Sequence, residues 1–125
     1  MTLEFLLETF KQNQKNDAIV WDDKAYSYQW LLERYAYWKK QLSLENIPNG
    51  AVVVLDGDFS PNSVALLSAL IDHTCIIIPL TGRKEVIKQE FVDISQGEFI
   101  FTIKSNDQAE IKKHPLQQLM SFIQN

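Results

Sequence analysis

Two pairs of aspartates are the residues whose type and spacing suggest chemistry. Asp22 and Asp23 are adjacent, and Asp56 and Asp58 are separated only by Gly57. Closely spaced carboxylates can hold Mg²⁺ or exchange protons with a substrate. Turns also use aspartate routinely, because its side chain accepts hydrogen bonds from nearby backbone N–H groups. We therefore favour a turn role for both pairs.

Asp22, Asp23 and Asp56 also belong to a set of five residues that follow predicted strands. The set continues with Thr81 and Lys104. Receiver domains of two-component signalling place an acidic pair, a phosphoacceptor aspartate, a threonine or serine and a lysine in this order, and the sequence resembles them in this respect. A receiver also requires a helix, a strand and a helix between the acidic pair and the acceptor strand. That interval here offers one helix and no buried strand, so a receiver with Asp56 as phosphoacceptor is the alternative hypothesis.

Other kinds of site lack the residues that they need. A phosphate-binding loop needs clustered glycines, because bare backbone N–H groups must approach the phosphates. The chain has four dispersed glycines, Gly50, Gly57, Gly82 and Gly97. His73 and His114 have no His or Cys neighbour at metal-ligand spacing, and Cys75 lies in an apolar run that favours a core position. We therefore predict no catalytic, cofactor-binding or metal-ligating residue in this chain.

Composition narrows the choice of partners. The 125 residues are 46% hydrophobic with a net charge of −4, so no excess of basic residues exists to neutralise a phosphate backbone. No apolar run reaches the roughly 20 residues that span a bilayer. Glu4 and Glu8 stand where a signal peptide would carry positive charge. We predict a cytoplasmic protein with no nucleic-acid partner and no membrane span.

The first third of the chain predicts a helix, a hairpin and a longer helix. Apolar residues at helical spacing indicate a short helix near residues 3–10. Two β-prone runs, residues 18–21 and 25–26, flank the Asp22-Asp23 turn and predict a small hairpin. Ser27 is a predicted N-cap for the next helix. The apolar face of that helix comprises Leu31, Tyr35, Trp38 and Leu42.

The centre of the chain predicts a strand–helix–strand crossover. Residues 51–55 form a continuous apolar run, which is typical of a strand buried on both faces. Ser60 and Pro61 indicate a helix start, with a capping hydroxyl followed by proline at the first helical position. Residues 75–78 form a second apolar strand, which we expect Pro79 to end. This is a βαβ unit, expected to be right-handed.

The last third of the chain continues the alternation. We predict a helix over residues 86–94, a strand over 98–103 and a final helix over 115–123. The polar interval 104–113 is interpreted as a loop, with a short strand left open. Residues 1–125 are therefore predicted to form one α/β domain, a mostly parallel sheet with helices on both faces and a small N-terminal hairpin.

In this order, the segments resemble the start of AMP-forming acyl-activating ligases, which include acyl-CoA synthetases and peptide-synthetase adenylation domains. Residues 18–31 match the opening hairpin and its hydrophobic-Ser/Thr-Tyr-x-x-Leu step into a helix. Residues 47–55 match a Pro/Asn-Gly turn into an apolar strand. Residues 58–80 match a loop with an asparagine, a helix and an apolar strand closing on Pro-Leu. The agreement covers residues 1–105, with one departure, since Thr74 stands where the family usually has glycine.

The resemblance implies a parent enzyme that adenylates a carboxylic acid with Mg-ATP and passes the acyl group to a thiol such as coenzyme A, as in fatty acid metabolism. The family's phosphate loop, adenine-binding segment, ribose-binding aspartate and lid lysine lie downstream of this region, so the resemblance transfers no catalytic residue. It suggests four loop or interdomain candidates, Asp58, Ser60, Asn62 and Thr81. It also implies that the chain is a fragment whose partner is the remainder of its own ligase, with an exposed face able to self-associate. A free-standing binding module with the same fold is the third hypothesis.

Overall fold

The computed structural model describes residues 3–80 and 99–113 of the chain. Within them lie a two-stranded hairpin, a four-stranded sheet and three helices. In chain order the elements are α1 (Glu4–Gln12), β1 (Asp17–Trp21), β2 (Lys24–Ser27), α2 (Tyr28–Leu44), β3 (Val52–Asp56), α3 (Pro61–Asp72), β4 (Ile76–Leu80), β5 (Phe99–Ile103) and β6 (Ala109–Lys113).

The hairpin forms where the sequence predicts it. β1 and β2 pair antiparallel, and Trp21 faces Lys24, so the loop contains only two residues. Those residues, Asp22 and Asp23, have φ angles of 53° and 62°. Two-residue hairpin loops favour such positive φ values because their twist matches that of the strands, and aspartate tolerates this conformation better than most residues. The predicted turn role of this acidic pair is confirmed.

The two long helices begin at the predicted caps. The Ser27 hydroxyl accepts a hydrogen bond from the Trp30 N–H at 3.1 Å at the start of α2, and the Ser60 hydroxyl accepts one from the Ser63 N–H at 3.3 Å at the start of α3. Each cap satisfies a backbone donor that the helix itself leaves unpaired. Both predicted N-caps are confirmed, and Pro61 occupies the first helical position of α3.

The four-stranded sheet has the order β4-β3-β5-β6. β3 is parallel to both β4 and β5, which confirms the predicted crossover through α3, whereas β6 pairs antiparallel with β5. β6 is the short strand left open within the polar interval. The expectation that Pro79 ends β4 is wrong, because the strand runs to Leu80 with Pro79 facing Leu55. Proline is tolerated at that position because β4 is the edge of the described sheet, where one side of the strand needs no ladder donor.

The core lies between the sheet and the helix pair α2–α3. Val53 and Leu55 of β3 and Phe101 of β5 point to this side and pack against buried residues of both helices. Those helical residues are Leu31, Trp38, Leu42, Ala65, Leu66, Ala69 and Leu70. Val54 points to the opposite face, where it packs with Leu80. β3 is therefore buried on both faces, as its unbroken apolar run predicts.

The turn after α3 closes without the expected glycine. Thr74 adopts a φ of 57°, a left-handed conformation that β-branched residues rarely adopt. The preceding residue, His73, is the C-cap of α3. Its Nε2 lies 2.6 Å from the carbonyl oxygen of Ile47, which requires an Nε2–H donor because a carbonyl only accepts. His73 therefore has a structural role, because it joins the end of α3 to the backbone at Ile47.

The fold class inferred from the sequence is confirmed: an α/β unit with a mostly parallel sheet and a small N-terminal hairpin. The predicted helices 86–94 and 115–123, together with Thr81 and His114, lie outside the described residues. Among the described residues, no helix combines the length and the apolar character needed to cross a bilayer.

Candidate functional site

A polar pocket lies at the carboxyl ends of the neighbouring strands β3 and β5. The strands β4 and β5, which follow β3 in the chain, pair on opposite sides of β3. Connections leaving β3 and β5 therefore diverge, and open α/β sheets bind ligands in the crevice outside the carboxyl ends of such strands. The pocket has a volume of about 320 Å³. Its polar and aromatic lining includes Trp21, Asp56, Asp58, Ser60, Thr102 and Lys104.

Gly57 allows the floor of this pocket to form. It has a φ of 153° and donates its N–H to the Leu80 carbonyl oxygen at 2.9 Å. A Cβ at this position would lie 2.8 Å from the carbonyl oxygen of Ile103 and 2.9 Å from the Ile103 Cβ. Any side chain would thus collide with the end of β5. Glycine is needed here because the chain leaving β3 passes so close to its neighbour strand.

The N-terminus of α3 forms one wall of the pocket, and its backbone donors are already used. The Asn62 N–H donates to the Asp107 carboxylate at 3.1 Å, the Ser63 N–H to the Ser60 hydroxyl, and the Val64 N–H to the Ser60 carbonyl oxygen at 3.0 Å. Pro61 has no N–H. Helix N-termini attract anions through unpaired N–H groups, so this one offers little to a phosphate.

Asn62 joins three elements behind the pocket. The residue is 2% exposed, and its Oδ1 accepts from the Trp38 indole N–H at 2.7 Å and from the Arg34 Nε–H at 3.0 Å. Its Nδ2 donates to the Asp107 carbonyl oxygen at 2.9 Å. The Arg34 guanidinium lies 4.2 Å from the centre of the Tyr37 ring, a cation–π contact. One amide thereby links α2, α3 and the β5–β6 turn.

A second polar cluster links α2 to α3 away from the pocket. Lys39 Nζ lies 2.7 Å from Asp72 Oδ2. The hydrogen bond from Lys39 is the main reason that the pKa of Asp72 is lowered, and a bond from Tyr35 adds to it. Burial, together with the hydrogen bond to Asp72, raises the pKa of Tyr35 to about 12. The cluster joins α2 to α3, and these pKa shifts keep Asp72 ionised and Tyr35 protonated at neutral pH.

The structure separates the four candidate residues inferred from the sequence. Asp58 and Ser60 line the pocket. Asn62 lies behind it in the network just described, and Thr81 is outside the described residues. Trp21 and Thr102 also line the pocket, and the sequence did not indicate either of them. Thr102 lies near the carboxyl end of β5, a position that points to a site once the strand order is known.

The receiver arrangement does not form among the described residues. Asp56 and Lys104 do line one pocket, but Asp22 and Asp23 are exposed and belong to the separate hairpin sheet. No group of three or more His, Cys, Asp or Glu side chains within residues 3–80 and 99–113 could hold a metal ion. A receiver needs its acidic pair beside the acceptor to hold Mg²⁺, so the geometry opposes this alternative.

Comparison with solved structures identifies the fold. The N-terminal subdomain of Klebsiella oxytoca NpsA superposes with a TM-score of 0.73 over 83% of this chain and 28% of that one, at 14% sequence identity. VinN in complex with L-aspartate gives 0.74 over 86% and 31%, at 16% identity. An artificially fused adenylation–PCP di-domain, NpsA-ThdA from Klebsiella oxytoca, gives 0.73 over 85% and 20%, at 14% identity.

The likeness is one of fold. No protein-family model matches the chain, and no curated protein sequence matches it significantly. The chain spans less than a third of each of these three structures. It therefore has the fold of part of the N-terminal subdomain of an adenylation domain, and the resemblance inferred from residues 1–105 is confirmed at that level.

Proposed function

We propose that this chain is a structural subdomain of an adenylate-forming ligase. The observation that supports the proposal is the superposition on the NpsA N-terminal subdomain over 83% of the chain. The sequence pattern of hairpin, capped helix and crossover independently resembles the same enzymes. In this proposal the whole ligase activates a carboxylic acid with Mg-ATP and transfers the acyl group to a thiol such as coenzyme A.

The role of these residues in that enzyme is to provide a rigid wall. The Asn62 network and the α2–α3 core hold the sheet, and the remainder of the ligase packs against it and supplies the ATP-binding and acyl-binding groups. Several large apolar side chains are available for such packing or for self-association, including Phe5 at 79% exposure and Phe59 at 74%. Exposed apolar area of this kind favours a covering partner when it is contiguous.

Exchange of radioactive pyrophosphate into ATP tests the proposal directly. The 125 residues alone should give no exchange with any carboxylic acid. The same chain extended by its downstream coding sequence should exchange with one acid or a small group of acids. Robust exchange by the 125 residues alone, or an extended protein with no Ser/Thr/Gly-rich phosphate loop, would overturn the proposal.

A matched pair of variants shows whether the subdomain supports the enzyme. In the extended protein, Asn62→Ala should lower exchange together with thermal stability, because it removes the acceptor shared by Trp38 and Arg34. Asn49→Ala removes the same atoms from an exposed turn and should change neither. Equal loss of exchange in both variants would contradict the supporting role of the network.

The two remaining hypotheses have their own tests. A receiver would take phosphate from acetyl phosphate with Mg²⁺ at Asp56, and labelling that is lost in Asp56→Ala would favour it over the ligase. We expect no labelling of the wild-type chain. A coding sequence with a stop codon directly after Asn125 would instead favour a free-standing binding module.

A further inference from the structure

We propose that Asn49 is a site of spontaneous deamidation, at which the backbone nitrogen of Gly50 attacks the side-chain amide, and that the isoaspartyl product loosens the start of β3. Asn49 is the one asparagine of the chain that precedes a glycine. The proposal rests on the exposure of this turn and on the way its two ends are held. It does not depend on membership of a ligase.

The turn before β3 leaves both reacting groups accessible. Asn49 and Gly50 are exposed, and the turn is closed by the Ala51 N–H, which donates to the Pro48 carbonyl oxygen at 3.2 Å. Within residues 3–80 and 99–113, the Gly50 N–H donates to no acceptor, and a Cβ at Gly50 would meet no atom within 4 Å. The attacking nitrogen is therefore neither shielded by a side chain nor held in a hydrogen bond there.

The reaction uses the chain's own groups and one water molecule. The Gly50 nitrogen bonds to the side-chain carbonyl carbon of Asn49, and the bond from that carbon to the amide nitrogen breaks. Ammonia leaves with the proton of the Gly50 N–H, and a five-membered succinimide ring remains. Such ring closure is favourable because the reacting groups are joined through the chain. Water then opens the ring at either carbonyl, which gives a normal aspartate or an isoaspartate linked through its side chain.

Asn46 provides a comparison within the same loop. It is exposed like Asn49, but the residue that follows it is Ile47, which is 3% exposed. The Ile47 N–H donates to the Leu42 carbonyl oxygen at 3.0 Å, and its β-branched side chain crowds the backbone nitrogen. The nitrogen that would attack Asn46 is therefore buried and already bonded, so exposure of the asparagine alone does not make a site.

The two ends of the turn are fixed, which decides what the products do to the fold. Ile47 and Ala51 are each 3% exposed. The Ile47 carbonyl oxygen lies 2.6 Å from His73 Nε2, and the Ala51 carbonyl oxygen accepts from the Ile76 N–H at 2.9 Å. An isoaspartyl linkage adds one carbon to the backbone between these anchors, and we expect the added length to strain the turn and loosen the start of β3. A normal aspartate leaves the backbone length unchanged.

The test is incubation of the 125-residue chain at mildly alkaline pH, followed by peptide mapping with mass spectrometry. Residue 49 should gain one mass unit, the exchange of an amide for a carboxylate, and part of the product should be isoaspartyl. Asn46 should react about tenfold more slowly or less, because the Ile47 N–H must first give up its hydrogen bond. Asn49→Gln, which would have to close a larger ring, should abolish the gain. No gain at residue 49, or equal rates at Asn46 and Asn49, would overturn the proposal.

Urea denaturation of the separated products tests the effect on β3. Asn49→Asp carries the new charge on an unaltered backbone and should keep the urea midpoint of the wild-type chain. The isoaspartyl fraction, isolated by ion-exchange chromatography, carries the same charge and should have a lower midpoint. Equal midpoints for Asn49→Asp and the isoaspartyl fraction would overturn the inferred loosening of β3. Neither measurement involves pyrophosphate exchange, so this proposal and the proposed function can fail independently.

Discussion

Removing the Asn62 side chain should destabilise the chain severely. Within residues 3–80 and 99–113, Asn62→Ala deletes the one acceptor of the buried Trp38 indole N–H and of the Arg34 Nε–H, and the one side-chain donor to the Asp107 carbonyl oxygen. The hydrogen bond from the backbone N–H of residue 62 to the Asp107 carboxylate does not involve the Asn62 side chain, so it survives the substitution. The variant therefore isolates the amide group from the helix cap.

The size of the loss can be worked out from those three contacts. A buried polar group left without its partner costs about 1–3 kcal/mol, and the Trp38 indole is fully desolvated at 3% residue exposure. Arg34 is half-buried and can turn toward water, so its loss costs about 0–1 kcal/mol. With a further contribution of about 1 kcal/mol from the Asp107 carbonyl oxygen, the expected total is about 3 kcal/mol. That is a large share of the stability of a small domain.

Urea denaturation followed by far-UV circular dichroism measures the effect. The midpoint should fall in Asn62→Ala with an unchanged slope, since the surface exposed on unfolding stays the same. Asn49→Ala is the control. Trp38→Phe removes the same indole–Asn62 hydrogen bond. The double variant Asn62→Ala/Trp38→Phe should therefore lose about 1–2 kcal/mol less free energy of unfolding than the sum of the two single losses. A loss below about 1 kcal/mol in Asn62→Ala, the lower end for one unsatisfied group, would show that the Asn62 amide does not hold this network together.

Four further predictions concern the backbone and the titrating groups. Thr74→Gly should stabilise the chain by about 0.5–1 kcal/mol in the same assay, because relief of the left-handed strain exceeds the added entropy of the unfolded glycine; a lower urea midpoint than in Thr74→Ala would contradict this. Gly57→Ala should destabilise it by about 2–4 kcal/mol through backbone strain and the collision with β5, and a melting temperature within one degree or so of wild type would exclude that collision. Tyr35 has a pKa raised to about 12, against 10.0 when unperturbed. Its contribution to the stability of the folded chain is therefore fully present below pH 10 and is lost as the pH rises to about 12. Tyr35→Phe should remove this alkaline loss in a pH series of melting temperatures. The lowered pKa of Asp72 affects stability at acidic pH. Its stabilising contribution is present above the unfolded pKa of 3.8 and is lost as the pH falls through the folded pKa. Asp72→Asn should abolish this acid loss in the same pH series.

The features that the sequence predicts correctly are those that depend on residues only a few positions apart in the chain. The caps at Ser27 and Ser60 each join residues three positions apart, and the hairpin turn uses two adjacent aspartates. The crossover from β3 to β4 follows from two apolar runs and the capped helix between them. Such features are predictable because the interacting groups are close in the chain and the residue types act on the local backbone.

Contacts between residues that are distant in the chain could not be predicted from the sequence and are known from the three-dimensional structure. Asn62 bonds Trp38 and Asp107 across 24 and 45 positions, and neither separation carries a periodic signal. The pocket is lined by residues at the ends of β1, β3 and β5. The ends of β3 and β5 are neighbours because the strand order places β5 directly beside β3, on the side opposite to β4. Pro79 sits within a strand because β4 is at the edge of the described sheet. Strand order is set by packing of the whole sheet against its helices, and a linear pattern of apolar residues is compatible with several such orders.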